Sequence, residues 1–321
     1  MAAGSRSFRL RSAITIDLVK LFLAGALALS IAAGQTAQKL AETGHCREAM
    51  PLLRAGLPKA ANAETRKRLA VDGVRCGMTL DDVDSALDFL RDLNKGFPND
   101  PEVLYLSVHI FSDLSLRASQ KLMFSAPTSY QVHELNAEAL ETQGRWSDAE
   151  AEYREVLKRD PRLPGIHYRI GRLLLSNPQA ASRKAEAKSE FEEELKIDPN
   201  NAGAEYVLGE LARQDGQDQA AIQHFSRAAK LDAGFADAFL GWGRTLLAGD
   251  HPADAIPPLE TAVKIDPANA MAHFELGNAY SRTGRKQEAA REFNLQKQAN
   301  EKMQQTQQQV RQGIAGAPPQ Q

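Results

Sequence analysis

A chain of 321 residues can form one or two globular domains or a single elongated repeat array. Its 43% hydrophobic content is rich in Ala and Leu but only 6% aromatic, which suits closely packed helices and argues against a β-sandwich. With 39 basic and 41 acidic residues, the net charge of −2 sets up no field for nucleic acid, so no such partner is expected.

The chain begins with Arg6, Arg9, Arg11 and Lys20, followed by the apolar run LFLAGALALSIAAG at residues 21–34. About 14 apolar residues fall short of the roughly 20 that span a bilayer. Basic, then apolar, then small residues is the order of a secretory signal, with cleavage between Ala32 and Ala37. Residues 1–34 therefore read as a signal peptide, and the chain as exported to the periplasm or beyond. The alternatives are an uncleaved inner-membrane anchor or a buried helix. A lipoprotein is not indicated, because the first cysteine, Cys46, does not directly follow the apolar run.

Residues 35–129 carry a faint helical pattern. QKLAETGHCREAMPLLRAG, with Gly44, Ala49 and Leu53, reads as a degenerate helix pair. ALDFLRDLNKGFPND keeps Ala86, Leu90 and Pro98 at second-helix spacing. PEVLYLSVHIF followed by LSLRASQKLMFSAP reads as a short two-helix unit ending at Pro127.

From residue 130 the pattern becomes periodic. Gly277 has counterparts at Gly243, Gly209, Gly171 and Ala137, at steps of 34, 34, 38 and 34. Ala289, Ala255, Ala221, Ala187 and Ala149 recur at steps of 34, 34, 34 and 38, and Pro267, Ala233, Pro199 and Pro161 at 34, 34 and 38. The interval from the glycine marker to the alanine marker is 12 residues, except from Gly171 to Ala187, where it is 16. The four extra residues belong in the turn around SNPQAASR.

This period and residue choice resemble the tetratricopeptide repeat, a pair of antiparallel helices. The last unit matches best, with Leu276-Gly277, Tyr280, Gly284, Ala289 and Phe293. The resemblance implies an all-α fold, a right-handed α-solenoid of stacked helix pairs. Clear repeats then occupy 130–163, 164–201, 202–235, 236–269 and 270–303, for eight pairs in all. The Gln-rich run after residue 294 supplies a polar terminal cap, and 304–321 reads as a disordered tail.

Catalytic signatures are missing: no GxxxxGK[ST], HExxH, GxSxG or CxxC occurs. The expectation is a chain that is not an enzyme, with no cofactor and no metal. His133, His167 and His273 share one repeat position, which suggests a packing or rim role. Glu192, Glu193 and Glu194 read as a solvated helix surface, and Trp146 and Trp242 as near-core residues.

The resemblance implies a concave groove lined by the first helix of each repeat. Its positions hold Glu134, Glu138 and Glu141; then Tyr168 and Arg172; then Tyr206, Glu210 and Arg213; then Arg244; and finally Phe274, Asn278 and Arg282. Arginine grips carboxylates through paired hydrogen bonds and aromatics add stacking area, so an acidic or C-terminal peptide segment fits. The plainer reading is that these are surface charges, some of them paired with one another. The Lys and Asn clamp of the family's chaperone-binding members is lacking, apart from Asn278. The function implied is a protein-binding scaffold; the alternative is an accessory or regulatory subunit of an envelope enzyme.

Two features concern stability. In this architecture Cys46 begins one helix and Cys76 closes the next, antiparallel one, which brings the sulfurs together and, after export, favours a disulfide. Pro257 and Pro258 lie within a second helix, as does Pro51 in the first unit, so a bend or a helix start delayed to near Ala255 is expected.

Overall fold

The structure, a computed structural model, describes residues 36–176 and 183–315. The signal-peptide reading of residues 1–34, the centre of the 176–183 insertion and the last residues of the tail lie outside the described residues. Everything regular among them is helical, and no strand occurs. The chain divides into two compact units, Met1–Lys121 and Leu122–Gln321.

The first unit holds α1 (36–42), α2 (Cys46–Gly56), a 3-10 turn (Leu57–Lys59), α3 (Ala63–Thr79), α4 (Val83–Gly96) and the start of α5 (Pro101–Ser125). Its core joins Ala49 and Leu53 of α2, Leu69 and Val74 of α3, Phe89 and Leu93 of α4, and Val103 of α5. The Cys46–Cys76 disulfide ties α2 to α3, with the two Cα atoms 4.9 Å apart. Cys46 opens α2 as the sequence implies. Cys76 does not close its helix, because α3 continues to Thr79.

The expected two-helix unit at 101–127 does not form. α5 is one uninterrupted helix of 25 residues. The segment SDLSLR contains neither Gly nor Pro, so nothing in it opposes helix continuation. Among the described residues, seven helix pairs and one single helix therefore replace the eight pairs anticipated.

The second unit contains five pairs: α6 (Tyr130–Thr142) with α7 (Trp146–Arg159), α8 (Ile166–Ser176) with α9 (Lys184–Ile197), α10 (Ala202–Gln214) with α11 (Asp218–Leu231), α12 (Ala236–Ala248) with α13 (Pro252–Ile265), and α14 (Ala270–Arg282) with α15 (Lys286–Ala315). Within each pair, one large side chain of the second helix sits on the marker position of the first. A Cβ at Gly277 would lie 2.6 Å from the Phe293 ring, and one at Gly209 2.8 Å from the Phe225 ring. Glycine is thus required at these two positions, while Ala137 holds the marker opposite Tyr153. Tyr153, Phe191 and Leu259 take the same place and are fully buried.

Local signals start and stop the helices. Gly144, Gly216 and Gly284 adopt positive φ in the turns, and Asp250 does so between α12 and α13. Asn201 and Asn269 cap α10 and α14 by accepting backbone N–H bonds from Ala204, and from Met271 and Ala272.

Two further expectations need correction. α13 begins at Pro252, with no delay to Ala255, and carries Pro257 and Pro258 internally. Pro252 occupies the first turn, where its missing N–H has no intrahelical role. The carbonyls that lose donors belong to Ala253 and Asp254, both exposed residues, so water can satisfy them. α15 runs to Ala315, so residues 304–315 are helix rather than disordered tail. Gln, Lys, Glu and Met are adequate helix formers even without burial.

Candidate functional site

The first helices of three successive repeats build one open pocket of about 550 Å³. Arg213 enters from the end of α10, Arg244 from α12, and Asn278 and Arg282 from α14. Leu247 and Ala248 form an apolar edge, while Asp218 and Glu275 bring negative charge. Four of the sequence-derived groove residues thus converge.

The arginines are already partnered. Arg213 Nη2 is 2.7 Å from Glu210, one turn back on the same helix, and this bond holds the guanidinium more firmly protonated. Arg244 Nε lies 3.4 Å from Glu275 Oε1 across the repeat boundary. Arg282 Nη1 donates to the Leu247 carbonyl at 2.7 Å, and its other nitrogen pairs with Asp250. Asn278 Nδ2 reaches Glu275 at 3.5 Å. The site is therefore a lattice of pairs rather than a patch of free positive charge. The three arginines are 30 to 40% exposed and Asp250 is largely exposed, whereas Glu275 is mostly buried.

The remaining groove candidates sit elsewhere. Arg172 lies over the Tyr168 ring, 5.9 Å from its centroid, with Glu141 at 4.0 Å. Tyr168 packs edge-on against Phe191 at 5.7 Å. Glu138 pairs with Arg169 at 2.9 Å, and Glu141 accepts from the Tyr153 hydroxyl at 3.2 Å. Tyr206 is wedged between Phe225 and Phe235, at 5.8 and 4.9 Å, and this burial raises its phenol pKa. Phe274 is 39% exposed and 6.2 Å from Phe293.

Two groups of residues behave differently from their sequence reading. Glu194 is fully buried rather than solvated. It accepts from the backbone N–H of Gly165 at 2.8 Å and of Tyr168 at 3.2 Å, and from Asn201 Nδ2 at 3.2 Å, so it caps the start of α8. The histidines at the shared repeat position do more than pack. His133, His167 and His273 each bond a glutamate of the following helix, Glu152, Glu190 and Glu292, at 2.6 to 2.7 Å. The sequence signal for these pairs is a glutamate three residues after the alanine marker.

No cluster of His, Cys, Asp or Glu that could hold a metal occurs among the described residues. Nor is any described helix long and apolar enough to cross a membrane.

A sequence profile of the tetratricopeptide repeat matches residues 135–182, 179–234 and 240–300, half of the chain. No curated protein matches it in sequence. Among solved structures it is similar to MamA, 25% identical over 53% of this chain and 96% of that one, with a TM-score of 0.48. It is also similar to YrrB, described as a TPR protein with an unusual peptide-binding site, at 20% identity, 57% and 92% coverage and a TM-score of 0.48. A third is PilF of Pseudomonas aeruginosa, at 17% identity, 53% and 76% coverage and a TM-score of 0.45.

Proposed function

The chain belongs to the tetratricopeptide-repeat family, and from that premise we propose that it is a non-catalytic scaffold holding a partner protein outside the cytoplasm. The partner segment lies on the face formed by α10, α12 and α14. The observation that carries this reading is the convergence of Arg213, Arg244, Asn278 and Arg282 on one pocket. Three successive helices contributing to one opening give an extended segment several points of attachment.

The segment carries a carboxylate, from an acidic side chain or a C-terminus. Arg244 and Arg282 receive it by releasing Glu275 and Asp250, an exchange of one ion pair for another. Guanidinium geometry favours a two-point grip on the incoming group, and Asn278 adds a donor. Because each new ion pair replaces an old one, affinity is expected to change little with salt. Export is supported by the basic, apolar and small order of residues 6–34 and by the Cys46–Cys76 bridge, which persists in an oxidising compartment.

Crosslinking and co-purification from the native envelope identify the partner, and Arg213→Glu with Arg244→Glu tests the face. Both arginines are half-exposed and paired with Glu210 and Glu275, so the reversal sets like charges together and lowers stability by about 1 kcal/mol or less per site. Capture is expected to fall far more than this small drop in melting temperature explains, while the helical content stays that of wild type. Undiminished capture by the double variant removes the pocket from the binding reaction.

A further inference from the structure

We propose that the projecting half of α15 is a dimerisation helix, which pairs antiparallel with α15 of a second copy of this chain. As far as Phe293, whose ring lies on Gly277 of α14, α15 serves as the second helix of the last repeat. It then runs on. α15 has 30 residues, whereas the four other second helices of this unit have 14 each. From residue 301 to 311 every side chain is exposed, whichever side of the helix it occupies. The repeat therefore covers no part of this extension.

The extension is nevertheless patterned for burial. Between residues 294 and 311 the apolar residues are Leu295, Ala299, Met303 and Val310, with Thr306 completing steps of 4, 4, 3 and 4. At 100° per residue all five fall within about 80° of arc. Lys297, Glu301 and Arg311 stand on the opposite side, where Lys297 and Glu301 pair at 3.8 Å, and only Lys302 borders the stripe. The 4-4-3 spacing repeats every 11 residues, close enough to the natural helical period to keep the stripe nearly straight. Leu295, Met303 and Val310 are 41, 53 and 54% exposed. A helix that gathers its few apolar residues on one side presents a face to be covered.

Charge and size favour a second copy as the cover. The flanks are glutamines, which offer no ion pairs to a charged partner segment but hydrogen-bond one another, since an amide both donates and accepts. A two-fold axis between positions 304 and 305 sets Met303 against the partner's Thr306 and Ala299 against the partner's Val310. Each larger side chain then meets a smaller one, and Leu295 closes the end of the seam opposite position 314. The same axis opposes every charge to an amide: Lys297 to the partner's Gln312, Glu301 to the partner's Gln308, Lys302 to the partner's Gln307, and Arg311 to the partner's Gln298. A parallel, in-register pair would instead put Lys302 against Lys302 and Met303 against Met303. The seam is short, so the dimer is concentration-dependent.

The test is sedimentation velocity on the mature chain from low to high micromolar concentration, with folding checked by thermal melts. Wild type is expected to double in mass as concentration rises. Met303→Glu is expected to stay monomeric with the melting temperature of wild type, because residue 303 touches no repeat. Gln308→Glu, on the opposite side of α15, is expected to dimerise as wild type does. Mixed on mild oxidation, Met303→Cys and Thr306→Cys chains are expected to form an intersubunit disulfide, whereas Gln308→Cys and Thr306→Cys chains are not. Three outcomes overturn the proposal: a wild type that is monomeric throughout, a dimer that survives Met303→Glu, or a monomer that binds phosphatidylglycerol vesicles through Met303 instead. The Arg213→Glu, Arg244→Glu variant is expected to dimerise normally, so this reading and that of the α10–α12–α14 pocket fail separately.

Discussion

Nδ1 of His224 lies 2.7 Å from Oε2 of Glu205, and the two residues have exchanged helices relative to the other repeats. Elsewhere the histidine stands on the first helix and the glutamate on the second, as in His133 with Glu152. Here the first helix carries the glutamate, which is 1% exposed and also receives Arg227 at 2.9 Å. The α12–α13 pair has Phe239 and Pro258 at the same two positions. What the position requires is a matched pair, not a particular residue. Glu205→His alone is expected to cost about 1–2 kcal/mol, because it removes the buried acceptor of the half-exposed His224 and the exposed Arg227. Adding His224→Glu is expected to restore at least about 1 kcal/mol of coupling. Additive losses in denaturant titrations of the single and double variants would refute the pairing.

The repeat period, the turn glycines and the packing of large side chains on small ones were legible in the sequence because they recur at fixed spacing. Of the groove positions, Arg213, Arg244, Asn278 and Arg282 line one pocket, whereas Tyr168, Arg172, Tyr206 and Phe274 do not. Glu194 was not legible. Its position usually holds a small apolar residue, and only the structure shows three donors around it. Paired charges were among the readings the sequence offered, as Arg213 with Glu210 bears out, but the partners of Arg244 and Arg282 were hidden, since Glu275 lies outside the groove positions and Asp250 lies in a turn. The single long helix α5 was not legible, because its weak periodicity fits a helix pair as well as one continuous helix.

Tyr153 gives the second unit an alkaline limit. Burial pushes its phenol up to about 12, against roughly 10 for an unfolded chain. A folded-state pKa above the unfolded value means the stabilisation is complete below pH ~10 and lost as pH climbs toward ~12. The loss is of order 2 kcal/mol, and Tyr206 and Tyr280, also raised, add to it in the same direction. Urea melts across this range are expected to show a shallower decline for Tyr153→Phe than for wild type. Identical slopes would assign the alkaline loss to other groups.

Reducing the Cys46–Cys76 bridge should act on one unit. The cysteines are 30 residues apart, and opening a loop of that size costs roughly 3–4 kcal/mol in the chain-entropy model. The first unit depends on it more, because it holds fewer stacked helix pairs than the second. Hydrogen exchange under dithiothreitol is expected to lose protection in α2 and α3 while α10 to α14 keep theirs. Unreduced, denatured protein is expected to titrate no free thiol. Two thiols there, or uniform loss of protection along the chain, would contradict the assignment.

Pro257 is the most direct place to improve the fold. It stands in the sixth position of α13, where its missing N–H leaves the Ala253 carbonyl without its helical donor. Its side chain is exposed, so replacing it removes no core contact. Pro257→Ala regains that hydrogen bond and relieves the ring against the preceding turn, offset by the greater freedom of the unfolded chain, worth about 0.4–1 kcal/mol. The expected net gain is roughly 1–2 kcal/mol. Pro258→Ala recovers a similar bond but truncates a buried side chain, so its effect is expected near zero. Thermal melts of the two variants at one pH separate these effects. A Pro257→Ala protein no more stable than wild type would mean that α13 already accommodates the proline without cost.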